Sequence, residues 1–280
     1  MSQASQTNDL NVTAKVANVN AIKKIFFVLK DFSHDANINF SADASTGTNS
    51  GTMRIKTLDK HQSALIDVRM KQLTYTDISQ SWYNIGIDIP TFYHNFLSCH
   101  NPCYSLSMAV NKNGVDLVCE EHFSNVKYTQ RLLALDEPQH VVMDMDVYVA
   151  DKNNKFVFNI NSKTFYDLCL RLNKISKRVT ITCDKQKINF MSCGGDCKYE
   201  QTLFTCADGF AEYAGDVTIN DDETYTSQYN LDQIACLRKF SSTTGYVAIS
   251  LNIKSKVLCI SNKLNQDTDV NMCLSCIENV

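Results

Sequence analysis

Two short stretches have the spacing of metal ligands: "CHNPC", with Cys99, His100 and Cys103, and "CGGDC", with Cys193 and Cys197. Two such pairs brought together would supply the four thiolate or imidazole donors of a tetrahedral zinc site. Asn-Pro and Gly-Gly, however, are turn formers, and cysteine packs as a small apolar residue. Turn-flanking cysteines are the preferred reading, and no metal or other cofactor is expected. Other chemistry has less to build on. His94, His100, His122 and His140, four of the six histidines, stand beside no nucleophile motif. With nine glycines the chain has no phosphate-binding glycine loop, and HExxH and G-x-S-x-G are absent. The acids of "NDDETYT", Asn220 to Thr226, read as a solvated loop. The chain is not expected to be an enzyme.

Positive charge is the remaining chemical signal. "SKTFYDLCLRLNKISKR", Ser162 to Arg178, carries five basic residues against the single acid Asp167, in a chain of net charge -3. At ~100° per residue, Phe165, Leu168, Cys169, Leu172 and Ile175 share one side of a helix. Lys163, Lys174 and Arg178 gather opposite, with Arg171 on their flank. Ser162 is the expected N-cap, and the basic end suits the negative pole of the helix dipole. Burying each large apolar side chain contributes roughly 1.5–3 kcal/mol, so docking of the apolar side fixes where the charges point. Alone, such a face reads first as an ordinary solvated one and only second as a surface for an anionic partner.

The elements that position this helix follow a repeated plan. Short alternating strands dominate, among them "ANINFSA", "SALIDVRM", "KFVFNI", "RVTITC" and "KINFMSC", and four segments have helical periodicity. The first is Val19 to Ser33, with Ile22, Ile25, Phe26, Leu29 and Phe32 on its apolar side. Each number lies 143 below its counterpart on the basic helix (165 − 22 = 143), which marks an internal repeat. Further helices are expected at Ile89 to Cys99 and Tyr229 to Phe240. The fold class is therefore α+β, built from two similar domains, 11–133 and 151–280. Residues 1–10 are expected to be a disordered lead-in and 134–150 a linker containing Pro138, one of three prolines.

Composition narrows the setting. At 44% hydrophobic and 20% charged over 280 residues, the chain can build real cores. It has no run of 18 apolar residues that would span a membrane. The twelve cysteines are scattered through strands and helices without an export signal, so reduced thiols in a non-secreted protein are expected.

In order and spacing, "VNAIKKIFFVLKDF", "TLDKHQSALIDVRM", "LALDEPQHVVM" and "FNINSKTFYDLCLRLNKISKRVTITCDKQKINFMSCGGD" resemble the sliding DNA clamps of the proliferating-cell-nuclear-antigen (PCNA) type, across nearly the whole chain after the first ten residues. The resemblance implies two domains, each with two helices on curved antiparallel sheets, and three subunits joined head to tail in a ring around duplex DNA. Helices would line the hole and meet phosphates without reading sequence. The residues this brings to DNA are Lys23, Lys24, Lys30, Lys163, Arg171, Lys174, Lys177, Arg178 and Lys239, with Arg238 nearer the apolar side of its helix. The second helix would contribute Thr91, His94, Asn95 and Ser98 and no Lys or Arg, so the basic lining would be uneven.

The family's groove for short peptides of DNA polymerase and other replication or repair proteins maps to Leu58, Leu65, Val141, Val142, Met143, Leu274 and Ile277. Its subunit contacts map to two edge strands, Asn125 to Leu133 and Cys197 to Phe204, here with Val126, Tyr128, Gln130, Lys198, Glu200 and Thr202. A clamp loader and a place in the nucleus or a viral replication compartment are also implied, with no membrane partner. Alternatives of the same shape are a monomer, a dimer, a subunit of a heterotrimeric checkpoint ring, or a scaffold that does not encircle DNA.

Overall fold

The structure is a computed structural model, and it describes residues 12–16, 19–42, 50–78, 82–98, 105–111, 114–120, 127–135, 155–205, 211–215, 219–220, 222–239 and 245–277. The chain divides into two compact units, one of Met1–Thr57 with Arg69–His140 and one of Leu58–Val68 with Val141–Val280. The segment Leu58–Val68 thus groups with the second unit.

The first unit, apart from Leu58 and Ala64–Val68 of the strands named here, carries β1 (Val12–Val16), α1 (Val19–Phe32), β2 (Asp35–Ala42), β3 (Ser50–Leu58), β4 (Ala64–Ile78), β5 (Trp82–Asp88), α2 (Ile89–Ser98), β6 (Ser105–Asn111), β7 (Gly114–Glu120) and β8 (Lys127–Leu133). β2 pairs antiparallel with β3 and β5. β1 pairs with β4 and β6, and β6, β7 and β8 follow as a meander. Period-two burial places Met53, Ile55 and Thr57 of β3 inside while Arg54 and Lys56 alternate with them, as expected for a strand with one covered face.

The second unit repeats the plan: β9 (Lys155–Asn161), α3 (Ser162–Asn173), β10 (Arg178–Cys183), β11 (Lys187–Gly194), β12 (Cys197–Phe204), β13 (Ala211–Tyr213), β14 (Tyr225–Asn230), α4 (Leu231–Cys236), β15 (Tyr246–Asn252), β16 (Leu258–Asn265) and β17 (Thr268–Leu274). One sheet runs β12-β11-β10-β14. In the other, β9 pairs with β13 and β15, and β15, β16 and β17 form a meander. The spacing of 143 therefore reflects one topology used twice, with the pairings of the single long β4, to β3 and to β1, divided in the second copy between β12 on β11 and β13 on β9.

Several expected boundaries move. The basic stretch is not one helix to Arg178: α3 stops at Asn173, Lys174 is its C-cap, and Arg178 opens β10. Ile175, read as a helical core position, lies beyond the helix, where its N–H reaches back to Leu172 O at 2.9 Å. The N-cap is Asn161 rather than Ser162. Its Oδ1 accepts from Lys163 N and Thr164 N at 3.1 and 3.2 Å, and Ser162, the first helical residue, is buried.

The fourth helix is also shorter than expected. Tyr225–Asn230, read as acidic loop and helix start, is strand β14, paired with β10. Tyr225 and Tyr229 turn inward from it, and Tyr229 OH donates to Lys256 O at 3.0 Å. α1 ends one residue before Ser33. α2 ends at Ser98, and Cys99 lies outside the described residues.

The cysteines divide. Cys259 and Cys273 face each other across β16 and β17 and are joined as a disulfide, against the expectation of free thiols throughout. Cys193 and Cys197 are free and exposed, at the ends of the β11–β12 turn. Gly195 takes φ +55° in that turn, a conformation costly for other residues. Its neighbour Gly194 lies so near the chain after α3 that an added Cβ would sit 2.2 Å from Ile175 O. Cys99, His100 and Cys103 lie outside the described residues. Among the described residues no three His, Cys, Asp or Glu side chains group as metal ligands, and no helix is long and apolar enough to cross a membrane.

Candidate nucleic-acid interface

In the second unit, α3 docks through Phe165, Leu168, Cys169 and Leu172, all at most 2% exposed. Burial pushes the Cys169 thiol up to about 12, so it packs as an unreactive apolar group. Docking leaves Lys163, Asp167, Leu170 and Arg171 outward. Arg171 Nη1 donates to Tyr199 OH on β12 at 3.3 Å, and this bond holds the guanidinium still more firmly protonated.

Past the helix end, Lys177 Nζ lies 2.7 Å from Asp232 Oδ1 on α4. Asp232 N donates to the Asn230 cap, so a helix start holds the acid that neutralises this lysine. Lys163, Lys174 and Arg178 are exposed, and no acid among the described residues pairs with them. Arg238 is exposed and Lys239 half-buried, both beyond the α-helical part of α4.

In the first unit, α1 buries Ile22, Ile25, Phe26, Val28, Leu29 and Phe32. Phe26 stacks on Phe92 of α2 with ring centroids 4.3 Å apart. Lys23, Lys24 and Lys30 emerge half-buried, around an exposed Phe27. Lys30 Nζ is 3.7 Å from Asp31 Oδ1, and it also lies 5.2 Å from the Phe27 ring centroid and 5.0 Å from that of Tyr93 on α2. On α2, Thr91 and His94 are exposed, and Asn95 Oδ1 accepts from Gln130 Nε2 at 2.6 Å. Side-chain placement of Ser98 lies outside the described residues. Two helix pairs therefore present bases outward, one with aliphatic and one with aromatic neighbours.

A search for matching protein-family models finds none. The chain is 20% identical over 240 residues to the "Probable DNA polymerase sliding clamp 1" of Paramecium bursaria Chlorella virus 1, covering 83% of this chain and 84% of the relative. In three dimensions it superposes on the proliferating cellular nuclear antigen of Entamoeba histolytica with TM-score 0.73 and 17% identity, over 95% of this chain and 98% of that one. The chain has the PCNA-type sliding-clamp fold.

Within the clamp fold the other expected residues can be placed. β8 and β12 each lie at the end of their pairing order. On β12, Lys198 Nζ and Glu200 Oε2 are 2.7 Å apart, an exposed pair that lowers the Glu200 carboxyl, and Thr202 Oγ1 donates to Asn189 Oδ1 at 3.1 Å. On β8, Gln130 is the residue tied to α2. Val126 and the side chain of Tyr128 lie outside the described residues. Leu133 and Phe204, the last residues of the two expected edge strands but not singled out from sequence, are 76% and 59% exposed. The available signal was an apolar residue closing each proposed edge.

Of the groove residues, Val141, Val142 and Met143 lie outside the described residues. Leu274 is fully buried and Leu65 is 2% exposed, so both act as core. Leu65 packs with the Cys259–Cys273 pair, and half-buried Leu58 joins this cluster. Ile277 is half-buried, and its N–H donates to Gln228 O at 2.8 Å.

The loop after Leu58 is held by Asp59, which sequence reasoning also missed. Asp59 Oδ1 accepts from Ser63 N and Ala64 N at 2.6 and 2.7 Å, and Oδ2 accepts from Gln233 Nε2 of α4 at 2.7 Å. An Asp opening a polar turn was the signal.

Proposed function

We propose that this chain is a sliding clamp: a non-enzymatic homotrimer that encircles duplex DNA and tethers DNA polymerase and other replication or repair proteins through short peptides. What supports this reading is a fold likeness spanning nearly the full length of both this chain and a PCNA. Two exposed strand edges fit it. β8 and β12 would otherwise leave rows of unpaired backbone N–H and C=O groups, a liability in a monomer. Pairing β8 of one subunit with β12 of the next is a heterologous contact, and such contacts close into rings when the rotation permits. Leu133 and Phe204 would be covered at the same joint.

DNA contact would come from Lys23, Lys24, Lys30, Lys163, Arg171, Lys174, Lys177, Arg178 and Lys239. Lys163, Lys174 and Arg178 contribute most, since no acid among the described residues pairs with them. Such contacts bind phosphate, release counterions and carry no sequence preference. Leu58 and Ile277 would rim the peptide groove with the linker residues Val141, Val142 and Met143. A clamp loader would open the ring, and the viral relative favours a nuclear or viral replication compartment.

The decisive experiment has two readings. Molar mass in solution should approach three times 31.6 kDa. Stimulation of polymerase should persist on circular templates and decline on linear ones, where a ring slides off the ends. A monomer at micromolar concentration, or equal stimulation on both templates, overturns the proposal.

A further inference from the structure

The outward face of α1 is not a plain basic stripe. Phe27 stands at its centre, 40% exposed, with Lys23 and Lys24 four and three residues before it and Lys30 three residues after, the spacings that make helix neighbours. Tyr93 of α2 lies beside it, ring centroids 5.9 Å apart and planes tilted by 41°. His94 follows at 5.9 Å from Tyr93. Lys30 Nζ stands near both rings, with Asp31 as the one acid paired to it among the described residues. Phosphate recognition alone calls for cations and no ring, and here an exposed Phe beside Tyr93 adds an aromatic face at the middle of three lysines.

The repeat supplies an internal control. The position equivalent to Phe27 is Leu170 (27 + 143 = 170), which is 39% exposed on α3. Equivalent to Lys30 is Asn173, and equivalent to Tyr93 is Ala235, since α2 and α4 start 142 residues apart (231 − 89 = 142). One topology thus holds an aliphatic residue in the second unit and an aromatic pair with a shared cation in the first. Stacking rings interleaved with cations are the chemistry that single-stranded nucleic acids recognise: bases lie on the rings and phosphates meet the ammonium groups.

We propose that Phe27 and Tyr93, with Lys24 and Lys30, form a stacking site for unpaired bases of single-stranded DNA on the first unit. The site needs one unit only and goes beyond enclosure of a duplex. A clamp carrying it would hold an unpaired or displaced strand as well as slide on paired DNA.

The test is fluorescence anisotropy with a labelled oligothymidylate and an abasic oligonucleotide of the same length and charge. The wild-type protein should bind the thymidylate roughly 5- to 150-fold more tightly than the abasic strand, the range that stacking of one base implies. Phe27→Leu, which installs the residue of the second unit, should remove at least about 5-fold of thymidylate affinity and leave abasic binding unchanged. Leu170→Ala should alter neither. Equal wild-type affinity for the two strands overturns the site without any variant, and so does undiminished thymidylate binding by Phe27→Leu. Retention on circular duplex, followed in parallel, keeps the two proposals apart. A protein that slips from circles yet discriminates thymidylate from abasic strand refutes the ring and supports the stacking site.

Discussion

The two helix pairs occupy the same place in the repeat and bury the same kind of residues, yet their outward faces differ in chemistry. On α1, Phe27 and the ring-bound Lys30 face outward; on α3, Leu170 and the exposed Lys163 do. The last hairpins differ in a parallel way. β7 and β8 are joined by Arg131, whose Nε and Nη2 donate to the two carboxylate oxygens of Asp116 at 2.7 and 2.8 Å on an exposed edge. β16 and β17 are joined by the buried Cys259–Cys273 disulfide under Leu65. An ion pair suits an edge that water reaches, while a buried position has no water to solvate charges and accepts a covalent, apolar link. Duplicated topology fixes which positions face outward or inward, and local exposure decides what chemistry each can hold.

Substitution of equivalent core leucines tests the duplication most severely. Leu29 and Leu172 differ by 143 in number and are both fully buried, so Leu29→Ala and Leu172→Ala should each cost about 2–5 kcal/mol. Hydrogen exchange should show the loss chiefly in the unit that carries the change, and equal loosening of both units would break the comparison. Reduction of Cys259–Cys273, which closes a loop of sequence separation 14, should cost about 3 kcal/mol. Denaturant melts with and without dithiothreitol measure it, with protection lost around β16 and β17 and retained around β7 and β8.

The triple change Lys163→Ala, Lys174→Ala and Arg178→Ala should leave folding and molar mass intact. It should flatten the salt dependence of duplex binding by about 0.9 in logarithmic slope for each phosphate no longer neutralised. Unchanged binding would return these side chains to the role of solvated charges. The smallest effect is expected at Asp116. Its bond to Arg131 holds the carboxyl below the usual carboxylate range. That contribution to stability is present above the ordinary value and is lost as pH falls through the lowered one. Arg131→Ala should therefore differ from wild type at neutral pH and converge with it in acid, as read from thermal melts across pH.

Much of the fold was legible in the chain. Period-3.6 patterns marked α1 and α3 because both helices bury one stripe, and the constant offset between those stripes exposed the duplication. The starts of α1 and α2 were legible too, but the limits of α3 and α4 were not. Ser162 and Asn161 are both good caps, and Asn161 wins because Ser162 is drawn into the core as the first helical residue. β14 was hidden because acids precede it and its inward residues are tyrosines whose hydroxyls find hydrogen-bond partners. The candidate site was legible as a set of bases. Pairing of Lys177 with Asp232, 55 residues away, depends on contacts that adjacent residues do not encode.

The sequence by itself determined two copies of one α+β plan, the buried stripes of the helices and the concentration of positive charge after Ser162. These follow from local periodicity and composition, which act over a few residues. Only the tertiary structure decided that α3 ends before Arg178, that Cys259 meets Cys273, that Asp59 and Gln233 lock a loop, and that Phe27, Tyr93 and Lys30 share one surface. Each of these depends on which distant segments are brought together and on how much water remains around them.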